Sequence, residues 1–304
     1  MLQNIQIQNF RCFENFNAEG FERINLIGGK NNSGKTCLLE AILCLNKEAL
    51  SGSEAVYALR NQDFKDLLNE KYSEGTVIIS TQVDTINYEA TLIINTNSYG
   101  SSSDFIAPVF YITTNKICPY YSFEKGFNSI ETDGKEDLYL NIFNIADNGN
   151  TSKARTIGNS GTTPRIKQNN KTGFLSIKSQ GDAIKSLYRY FTPILERYTK
   201  GFDTNIPLIL LIDEIENGIH YSVHYDFWKT IFKLSKELNV QIFATTHSLE
   251  MIQQFNKVAK EEGEAAYFEM FRDSENGKIV AAKHDTALLE YELETHENFR
   301  GEPI

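Results

Sequence analysis

The chain has 304 residues, a hydrophobic fraction of 41% and a formal net charge of −10. This composition allows a buried core and excludes a globally disordered chain, while the acidic balance argues against a general nucleic-acid coat protein. The longest apolar runs fall far short of the about 20 residues that a membrane helix requires, and the first residues lack the features of a signal peptide, so we expect a cytoplasmic protein without a membrane partner.

The first part of the chain predicts mostly strands. Alternating apolar residues at Ile5, Ile7 and Phe10 indicate a first strand, and a second strand-like segment ends at 24–27. The elements predicted next are a helix at 36–45, a short amphipathic helix at 60–70, a hairpin of strands 76–83 and 88–94, a Gly/Ser loop at 98–103 and a buried strand at 109–112.

A stretch rich in glycine, asparagine, threonine and lysine precedes the second part. Residues 148–173 have little apolar content and are interpreted as a mobile loop or an inserted element, after a helix near 136–145. The later predicted elements are a helix at 181–198, a parallel strand at 207–212, a helix at 222–238, a strand at 240–245, a helix beginning near Ser248, a hairpin of 265–271 with 278–282, and a short helix. We expect an α/β fold with a central, mostly parallel sheet, an antiparallel β subdomain and a helical or loop insertion. Residues 1–304 are expected to form one domain, with 95–178 as a variable insertion.

Residues 29–36, GKNNSGKT, match the phosphate-loop pattern GxxxxGK[ST] in full, between a strand and a helix. Glycines allow backbone amides to turn toward a phosphate chain, and a helix N-terminus adds partial positive charge. The pattern predicts an ATP site in which Lys35 reaches the β- and γ-phosphates and Thr36 holds Mg²⁺ through its hydroxyl. The residues expected to bind the nucleotide here are Gly29, Asn31, Asn32, Ser33, Gly34, Lys35 and Thr36.

A second motif is the apolar run that ends in Asp213-Glu214. Asp213 is suited to bind Mg²⁺ through its water shell, and Glu214 is placed to act as the general base on an attacking water. His247 follows the next strand and is expected to contact the γ-phosphate, so Glu214 and His247 are the candidate catalytic residues. A nucleotide kinase or GTPase is disfavoured, because no NKxD base-reading motif is present.

We expect the remaining candidate metal ligands, two histidines and four cysteines, to have structural roles. His220 and His224 are four residues apart but lack a third ligand at a suitable spacing, which favours an interface or helix N-terminal role over a metal pair. The cysteines form no CxxC pair and fit reduced thiols better than disulfides or a zinc site; they are Cys12, Cys37, Cys44 and Cys118.

Five motifs occur in a characteristic order: NFRCF near the start, GGKNNSGKT, SQGDA at 179–183, LLIDEIENGIHYS at 210–222 and TTHS at 245–248. Together they resemble the ABC-type ATPase heads of the RecF, SMC and OLD (overcoming lysogenisation defect) group. The OLD-like branch is the closest match, because NNSGKT, a degenerate SxGD signature and DEIENGxHYS recur together there. The resemblance covers nearly the whole chain, with 95–175 matching least.

The resemblance implies further site residues and a dimer. Ser179 and Gly181 would form the signature loop that caps the γ-phosphate of a partner subunit's ATP, and Arg11 matches a position that approaches the nucleotide. Such heads build two composite sites, so a homodimer or higher homo-oligomer is implied. Without the resemblance, SQGDA is an ordinary helix start capped by Ser179 or Asp182.

The resemblance also bears on the effector. Full-length OLD proteins resemble a fusion of this head to a Toprim nuclease, whose acids follow the ATPase. The 57 residues after His247 contain no DxD, so a nuclease in the same chain is not expected and a separate effector, a nuclease or toxin, is. Stand-alone heads of this kind often serve in bacterial antiviral systems.

The charge distribution keeps a second function open. Residues 151–190 carry a net charge of +7, from eight Lys/Arg and one Asp, which leaves −17 for the rest. One interpretation is an ATP-dependent dimerisation switch that controls the effector; the alternative is a RecF-like, ATP-dependent DNA clamp that contacts DNA through 151–190. A solvated loop whose charge balances acidic neighbours is as consistent with this pattern.

Overall fold

The computed structural model describes residues 1–45, 68–69, 75–83, 85–94, 99–103, 109–112, 117–118, 140, 151–156, 164–169, 172–173, 175–176, 181–199 and 208–295. The chain divides into two compact units. The first comprises Met1–Pro119, Pro207–Ile215 and Val240–Ile304, and the second Tyr120–Ile206 and Glu216–Asn239. The helices predicted at 60–70 and near 136–145 lie almost wholly outside the described residues.

Fifteen strands and five α-helices lie in the described residues. The strands are β1 (Leu2–Phe10), β2 (Phe13–Glu19), β3 (Ile24–Gly28), β4 (Gly75–Val83), β5 (Ile86–Ile94), β6 (Tyr99–Ser103), β7 (Val109–Ile112), β8 (Ile117–Cys118), β9 (Thr151–Thr156), β10 (Pro164–Gln168), β11 (Leu175–Ser176), β12 (Leu208–Ile212), β13 (Val240–Thr245), β14 (Ala265–Arg272) and β15 (Ile279–His284). The helices are α1 (Lys35–Cys44), α2 (Asp182–Thr199), α3 (His224–Glu237), α4 (Leu249–Glu262) and α5 (Thr286–Thr295). None of these helices is both long and apolar enough to cross a membrane.

A seven-stranded sheet forms the centre of the first unit, in the order β15-β14-β3-β13-β12-β7-β8. The pairs from β14 to β7 are parallel, and the edge strands β15 and β8 run antiparallel to their neighbours. Every residue of β3, β12 and β13 is buried, as expected for strands covered on both faces. The predicted central, mostly parallel sheet is confirmed.

The same unit contains a five-stranded antiparallel sheet, in the order β2-β1-β4-β5-β6, which confirms the predicted β subdomain. The loop predicted at 98–103 is wrong, because Tyr99–Ser103 forms β6 and pairs with β5. Serine and glycine disfavour strands when considered alone. Here backbone hydrogen bonds to an adjacent strand override that preference, and these bonds do not depend on the side chains.

Part of the segment interpreted as a loop or insertion is also strand. In the second unit, β9, β10 and β11 form a three-stranded antiparallel sheet. The β9 sequence, TSKART, has no apolar alternation, and such alternation is the signal from which strands are recognised. The interpretation of 148–173 as a mobile loop is therefore corrected over the residues of β9 and β10.

A buried glutamine joins the two sheets of the first unit. Gln241 in β13 accepts a hydrogen bond of 2.8 Å from the Leu2 amide through Oε1 and donates through Nε2 to the carbonyls of Leu2 and Glu22, at 2.8 and 2.9 Å. Its side chain is fully buried. The start of β1 is thereby fixed to the strand that ends beside the candidate site.

Helix α1 packs between these sheets and is buried from Leu38 to Cys44. Its apolar residues contact the core on all sides, which suits a helix enclosed by other elements. The core around it includes Ile7, Ile79 and Phe243. Helix α1, which begins at the phosphate loop, therefore packs against both sheets.

In the second unit, α2 begins at Asp182 and α3 at His224, close to the predicted helix bounds. Tyr188 and Tyr190 of α2 are buried, and the Tyr190 ring meets the Phe227 ring edge to face at 6.4 Å. Both tyrosines therefore pack in the interior of this unit.

Candidate nucleotide-binding site

The phosphate loop follows β3 and leads directly into α1. Gly29 has φ 126° and Gly34 has φ 94°, both in the region that only glycine adopts readily. A Cβ atom on Gly29 would lie 2.1 Å from the Met270 carbonyl oxygen. No side chain fits at this point, so the loop backbone lies against β14.

Lys35 and Ser33 place polar groups inside this loop. Lys35 is 6% exposed, and its Nζ donates hydrogen bonds to the carbonyls of Gly29 (2.7 Å) and Lys30 (2.9 Å). The Ser33 Oγ is buried and has no hydrogen-bond partner among the described residues. Asn31 and Asn32 are exposed, and Asn32 has φ 62°. A buried ammonium and a buried hydroxyl together fit an anion held by the loop.

Asp213 directly follows β12 and connects the end of that strand to the phosphate loop. The Thr36 Oγ1 lies 3.2 Å from both Asp213 carboxylate oxygens. The Thr245 Oγ1 donates a 2.7 Å hydrogen bond to Asp213 Oδ1 and accepts a 2.8 Å one from the Glu214 amide. One threonine thus fixes the side chain of the first acid and the backbone of the second.

Glu214 and His247 follow the carboxyl ends of neighbouring strands. Because β12 and β13 are parallel and adjacent to β3 in the order β3-β13-β12, the phosphate loop, the acids and His247 all lie at one edge of the sheet. Both side chains are exposed. Glu214 has φ 54°, a left-handed conformation that costs a non-glycine residue about 1–2 kcal/mol. Hydrogen bonds from the Glu214 amide to the Thr245 hydroxyl and from the Ile215 amide to the Thr245 carbonyl hold this turn.

Arg11 forms an ion pair with the phosphate-loop helix. Its Nε lies 2.9 Å from Glu40 Oε2, and the side chains are 12% and 1% exposed. Arg11 also has φ 48°, and its carbonyl accepts a 2.8 Å hydrogen bond from Asn69. The structure therefore places the Arg11 guanidinium against α1, and the expectation that it approaches the nucleotide stays a prediction.

The predicted signature residues belong to the second unit. Ser179 lies outside the described residues, and Gly181 is exposed directly before α2. Asp182 pairs with Lys185 at 2.8 Å. A Cβ atom on Gly218 would lie 3.4 Å from the Asp182 side chain, so the loop after the acidic motif contacts the start of α2 within this unit.

The candidate metal-pair histidines have structural roles within the same unit. His220 is the N-cap of a 3₁₀ turn at Tyr221–Val223, where its Nδ1 accepts from the Ser222 amide. His224 is buried, with Nε2 at 3.1 Å from the Ile219 carbonyl.

A cluster of titratable side chains, in which a buried histidine contacts two half-buried glutamates, lies beside β3 and was not anticipated from sequence. His284 Nδ1 is 2.7 Å from Glu292 Oε2, and its Nε2 is 3.7 Å from Glu269 Oε2. Burial raises the pKa of Glu269, an effect that His284 and Lys30 oppose and Glu292 reinforces. Glu269 pairs with Gly28 across β14 and β3, so this cluster borders the first residue before the loop.

Two cysteines distant in sequence are neighbours at the first turn of α1. A hydrogen bond with Cys37, followed by burial, raises the pKa of the Cys12 thiol. Cys12, Cys37 and Cys44 are thiols outside any disulfide. The contact between Cys12 and Cys37 joins the β1–β2 turn to the residue that follows Thr36.

Sequence reasoning missed Thr245 and Glu40. Thr245 lies in the TTHS motif, and a threonine that ends a buried strand, beside a strand that ends in acids, is a usable signal. Glu40 gives no signal in sequence, since charged residues on helices usually face solvent.

The residues at this sheet edge fit ATP and Mg²⁺ chemically. A threonine hydroxyl within 3.2 Å of a carboxylate supplies the oxygen ligands that Mg²⁺ prefers. The buried Ser33 hydroxyl, the Lys35 ammonium and the glycine backbone suit a phosphate chain.

Comparisons with known proteins agree with this arrangement. The family model described as AAA ATPase domain matches residues 1–200 and 122–252. An ATP/GTP phosphatase of Helicobacter pylori is 22% identical over 99% of this chain and 100% of its own length.

Two solved structures share the fold. An SMC head bound to the C-winged helix domain of ScpA is similar with a TM-score of 0.64 and 13% identity, over 93% of this chain and 98% of that one. The recombination mediator RecF is similar with a TM-score of 0.50 and 12% identity, over 94% and 98%. The fold is the ABC-ATPase head fold of SMC and RecF proteins.

Proposed function

Since the chain belongs to the AAA ATPase domain family, we propose that it binds ATP with Mg²⁺ at residues 29–36 and hydrolyses it to ADP and phosphate. The observation that carries the proposal is the contact of Thr36 Oγ1 with both carboxylate oxygens of Asp213. It joins the end of the phosphate loop, which follows β3, to the acid that follows β12, the next strand but one in the sheet. This is the arrangement that phosphoryl-transfer sites of this class require.

Each residue of the site has a role. Lys35 and the loop amides bind and orient the phosphates, and Ser33 supplies a buried hydroxyl. Thr36 and Asp213 hold Mg²⁺, which neutralises charge that develops on the phosphate oxygens.

Glu214 accepts the proton of the attacking water as general base. Its exposed side chain, on a backbone turn fixed by Thr245, can reach a water at the sheet edge. His247 lies at the same edge and contacts the γ-phosphate. These roles depend on positioning of charged and polar groups, which is the main source of catalysis in phosphoryl transfer.

Two variants test the proposal. Lys35→Ala should lose ATP binding, measured by calorimetry, whereas Glu214→Gln should bind ATP normally and hydrolyse it at least about 100-fold more slowly. Glu237→Gln, which changes an acid at the end of α3, is the matched control. If Glu214→Gln retains full ATPase activity, Glu214 is not the base.

We further propose that ATP closes a homodimer and that hydrolysis opens it, releasing or activating a separate effector, in the manner of OLD-like heads with an antiviral role. The support is the exposed start of α2, where Gly181 faces solvent beside the residues that follow the acidic motif. The membership of the OLD-like branch stays a prediction.

The size of the protein in solution, measured with and without ATP, tests whether the dimer forms. Glu214→Gln should form a dimer with ATP and remain a monomer without it, and Gly181→Glu added to this background should prevent the dimer. Thr295→Glu, at the end of α5, is the charge control. A wild-type protein that hydrolyses ATP rapidly under all conditions, with effector binding insensitive to Glu214→Gln, would contradict the switch.

A RecF-like DNA clamp is the second candidate, and one observation favours it. Arg165 pairs with Arg155 and Lys167 with Lys153 across β10 and β9, so four basic positions belong to one face of this strand pair. Basic positions gathered on one face of a strand pair favour the binding of a polyanion such as DNA.

The clamp predicts ATP-dependent duplex DNA binding that weakens steeply with salt. Arg165→Glu with Lys167→Glu should abolish it, whereas Lys257→Glu with Lys260→Glu, on α4, should not. Equal binding by both double variants would remove this candidate.

A further inference from the structure

Two cysteines of the first unit meet where the β1–β2 turn lies against the first turn of α1. Cys12 belongs to the two-residue turn of this hairpin, since Phe10 and Phe13 pair with each other across β1 and β2. Cys37 is the third residue of α1. Both cysteines are partly exposed and pack against the same apolar core. Two thiols that are far apart in sequence thus share one side of α1.

The β1–β2 turn is fixed on α1 by contacts on either side of Cys37. A Cβ atom on Gly34, three residues before Cys37, would lie 3.2 Å from the Cys12 sulfur. Glu40, three residues after Cys37, is paired with the Arg11 Nε at 2.9 Å. Residues three apart are neighbours on one face of a helix. Cys37, in the middle of the face that the turn covers, is therefore the residue of α1 next to Cys12.

The two sulfurs are hydrogen bonded to each other. This hydrogen bond with Cys37 is the largest of the effects that raise the pKa of the Cys12 thiol, followed by burial and by the charge of Cys37, and the charge of Arg272 opposes them. Cys12 therefore keeps its proton and donates it to the hydrogen bond, and the Cys37 sulfur accepts. The N-terminal amides of α1 also favour negative charge on the Cys37 sulfur. A thiolate beside a thiol is the pair from which a disulfide forms.

A small oxidant has access to this pair. Cys12 lines a cleft of about 210 Å³, together with Glu14 of the first hairpin and with Arg272 and Lys278 of the β14–β15 hairpin. A hydroperoxide is not much larger than a water molecule, which takes about 30 Å³, so it fits the cleft. Cys37 is itself partly exposed.

We propose that a hydroperoxide oxidises Cys12 and Cys37 to a reversible disulfide, and that this bond lowers the ATPase activity of the site. The second part rests on the proposed function. The Cys37 thiolate cleaves the O–O bond and becomes a sulfenic acid, and the alkoxide that leaves takes up the proton that Cys37 gave to solvent. The Cys12 thiol then attacks the sulfenic sulfur, the S–S bond forms, and hydroxide leaves with the thiol proton as water. The sulfurs lose two electrons, the peroxide gains them, and a thiol reductant restores both cysteines by exchange.

The disulfide acts on the nucleotide site through the first turn of α1. Cys37 directly follows Thr36, whose hydroxyl lies 3.2 Å from the Asp213 carboxylate. A covalent bond draws the two sulfurs closer together than a hydrogen bond does. Because α1 is buried from Leu38 onward, the displacement falls on the first turn, which carries Thr36. A misplacement of about 1 Å can lower the rate of such a site by about 100-fold.

The test oxidises the full chain with hydrogen peroxide, alkylates the remaining thiols and maps disulfides by mass spectrometry of peptides. The double variant Cys44→Ala with Cys118→Ser keeps only the proposed pair, and it should form the same Cys12–Cys37 disulfide as the wild type. In both proteins the ATPase rate should fall at least about tenfold on oxidation and recover with dithiothreitol. Cys12→Ser and Cys37→Ser, each added to the double variant, retain one thiol and should keep their activity through the same treatment.

Each outcome decides a distinct point. A peptide map of the oxidised wild type without a Cys12–Cys37 disulfide overturns the modification site. A disulfide that leaves the ATPase rate unchanged, or an equal loss of rate in the two serine variants, overturns its effect on the nucleotide site. If the reduced wild-type protein hydrolyses no ATP, the proposed function fails and the effect on the site fails with it, while the peptide map still decides whether the disulfide forms.

Discussion

The Thr245 hydroxyl lies between the two acids of the site, donating to Asp213 Oδ1 at 2.7 Å and accepting from the Glu214 amide at 2.8 Å. It ends β13, and the acids follow the adjacent β12. A single hydroxyl therefore couples the orientation of the candidate magnesium ligand to the backbone turn that carries the candidate base. Its removal should affect both.

We expect Thr245→Val to lower ATPase activity by about 10- to 100-fold, as loss of a residue that orients a metal ligand commonly does. The activity should recover in part at high Mg²⁺, because the Asp213 carboxylate becomes misoriented and binds the ion more weakly. The measurement is the Mg²⁺ dependence of ATP hydrolysis. Thr245→Ser keeps the hydroxyl and should stay near wild type; equal loss in both variants would assign the effect to packing.

We expect Glu40→Gln to destabilise the protein by about 3–5 kcal/mol, because it leaves the Arg11 charge unpaired next to α1. The double change Arg11→Met with Glu40→Met removes both charges and should recover most of that loss. Urea unfolding of the wild type, Arg11→Met, Glu40→Met and the double variant gives the coupling free energy, and Glu40→Gln is measured beside them. Additive effects in this cycle would show that the ion pair does not couple the two residues.

We expect Gln241→Leu to lower the free energy of unfolding by several kcal/mol. The change leaves the Leu2 amide and the carbonyls of Leu2 and Glu22 without this partner, at about 1–3 kcal/mol for each buried group. Gln253→Leu, a half-buried position on α4, is the control in the same urea experiment. A Gln241 variant as stable as the control would contradict the role of Gln241 in joining the sheets.

We expect Glu269→Gln to stabilise the protein at neutral pH. Burial raises the pKa of Glu269 above its usual 4.5, so the folded state disfavours the charged form and stability falls as the pH rises through the folded pKa. The variant lacks this titration, and its advantage should disappear as the pH falls below 4.5. Melting temperatures of both proteins between pH 4 and 8 check this, with Glu294→Gln on α5 as control; a constant difference across this range would refute it.

The central sheet could be predicted from sequence because its strands are continuous apolar runs bounded by polar motifs. Val240–Thr245 has the predicted bounds, and the strand at 207–212 begins one residue later than predicted. By contrast, β6 and β9 were missed, because strands that are polar on both faces carry no periodic signal and are defined only by the partner strand.

The sequence alone determined the phosphate loop and the acid pair. These motifs are local: conformation, amide direction and side-chain type are set within a few residues of chain, by glycine at Gly29 and Gly34 and by the strand end at Asp213. The coincidence of both motifs at one sheet edge also follows from sequence, since parallel strands align their carboxyl ends.

Only the tertiary structure decided what supports and surrounds those motifs. Three features bring together residues that are far apart in sequence. They are the ion pair of Glu40 with Arg11, the hydrogen bonds by which Gln241 joins two sheets, and the cleft lined by Cys12 and Lys278. The physical reason is that such contacts depend on the relative placement of packed elements. No periodicity or spacing along the chain encodes that placement.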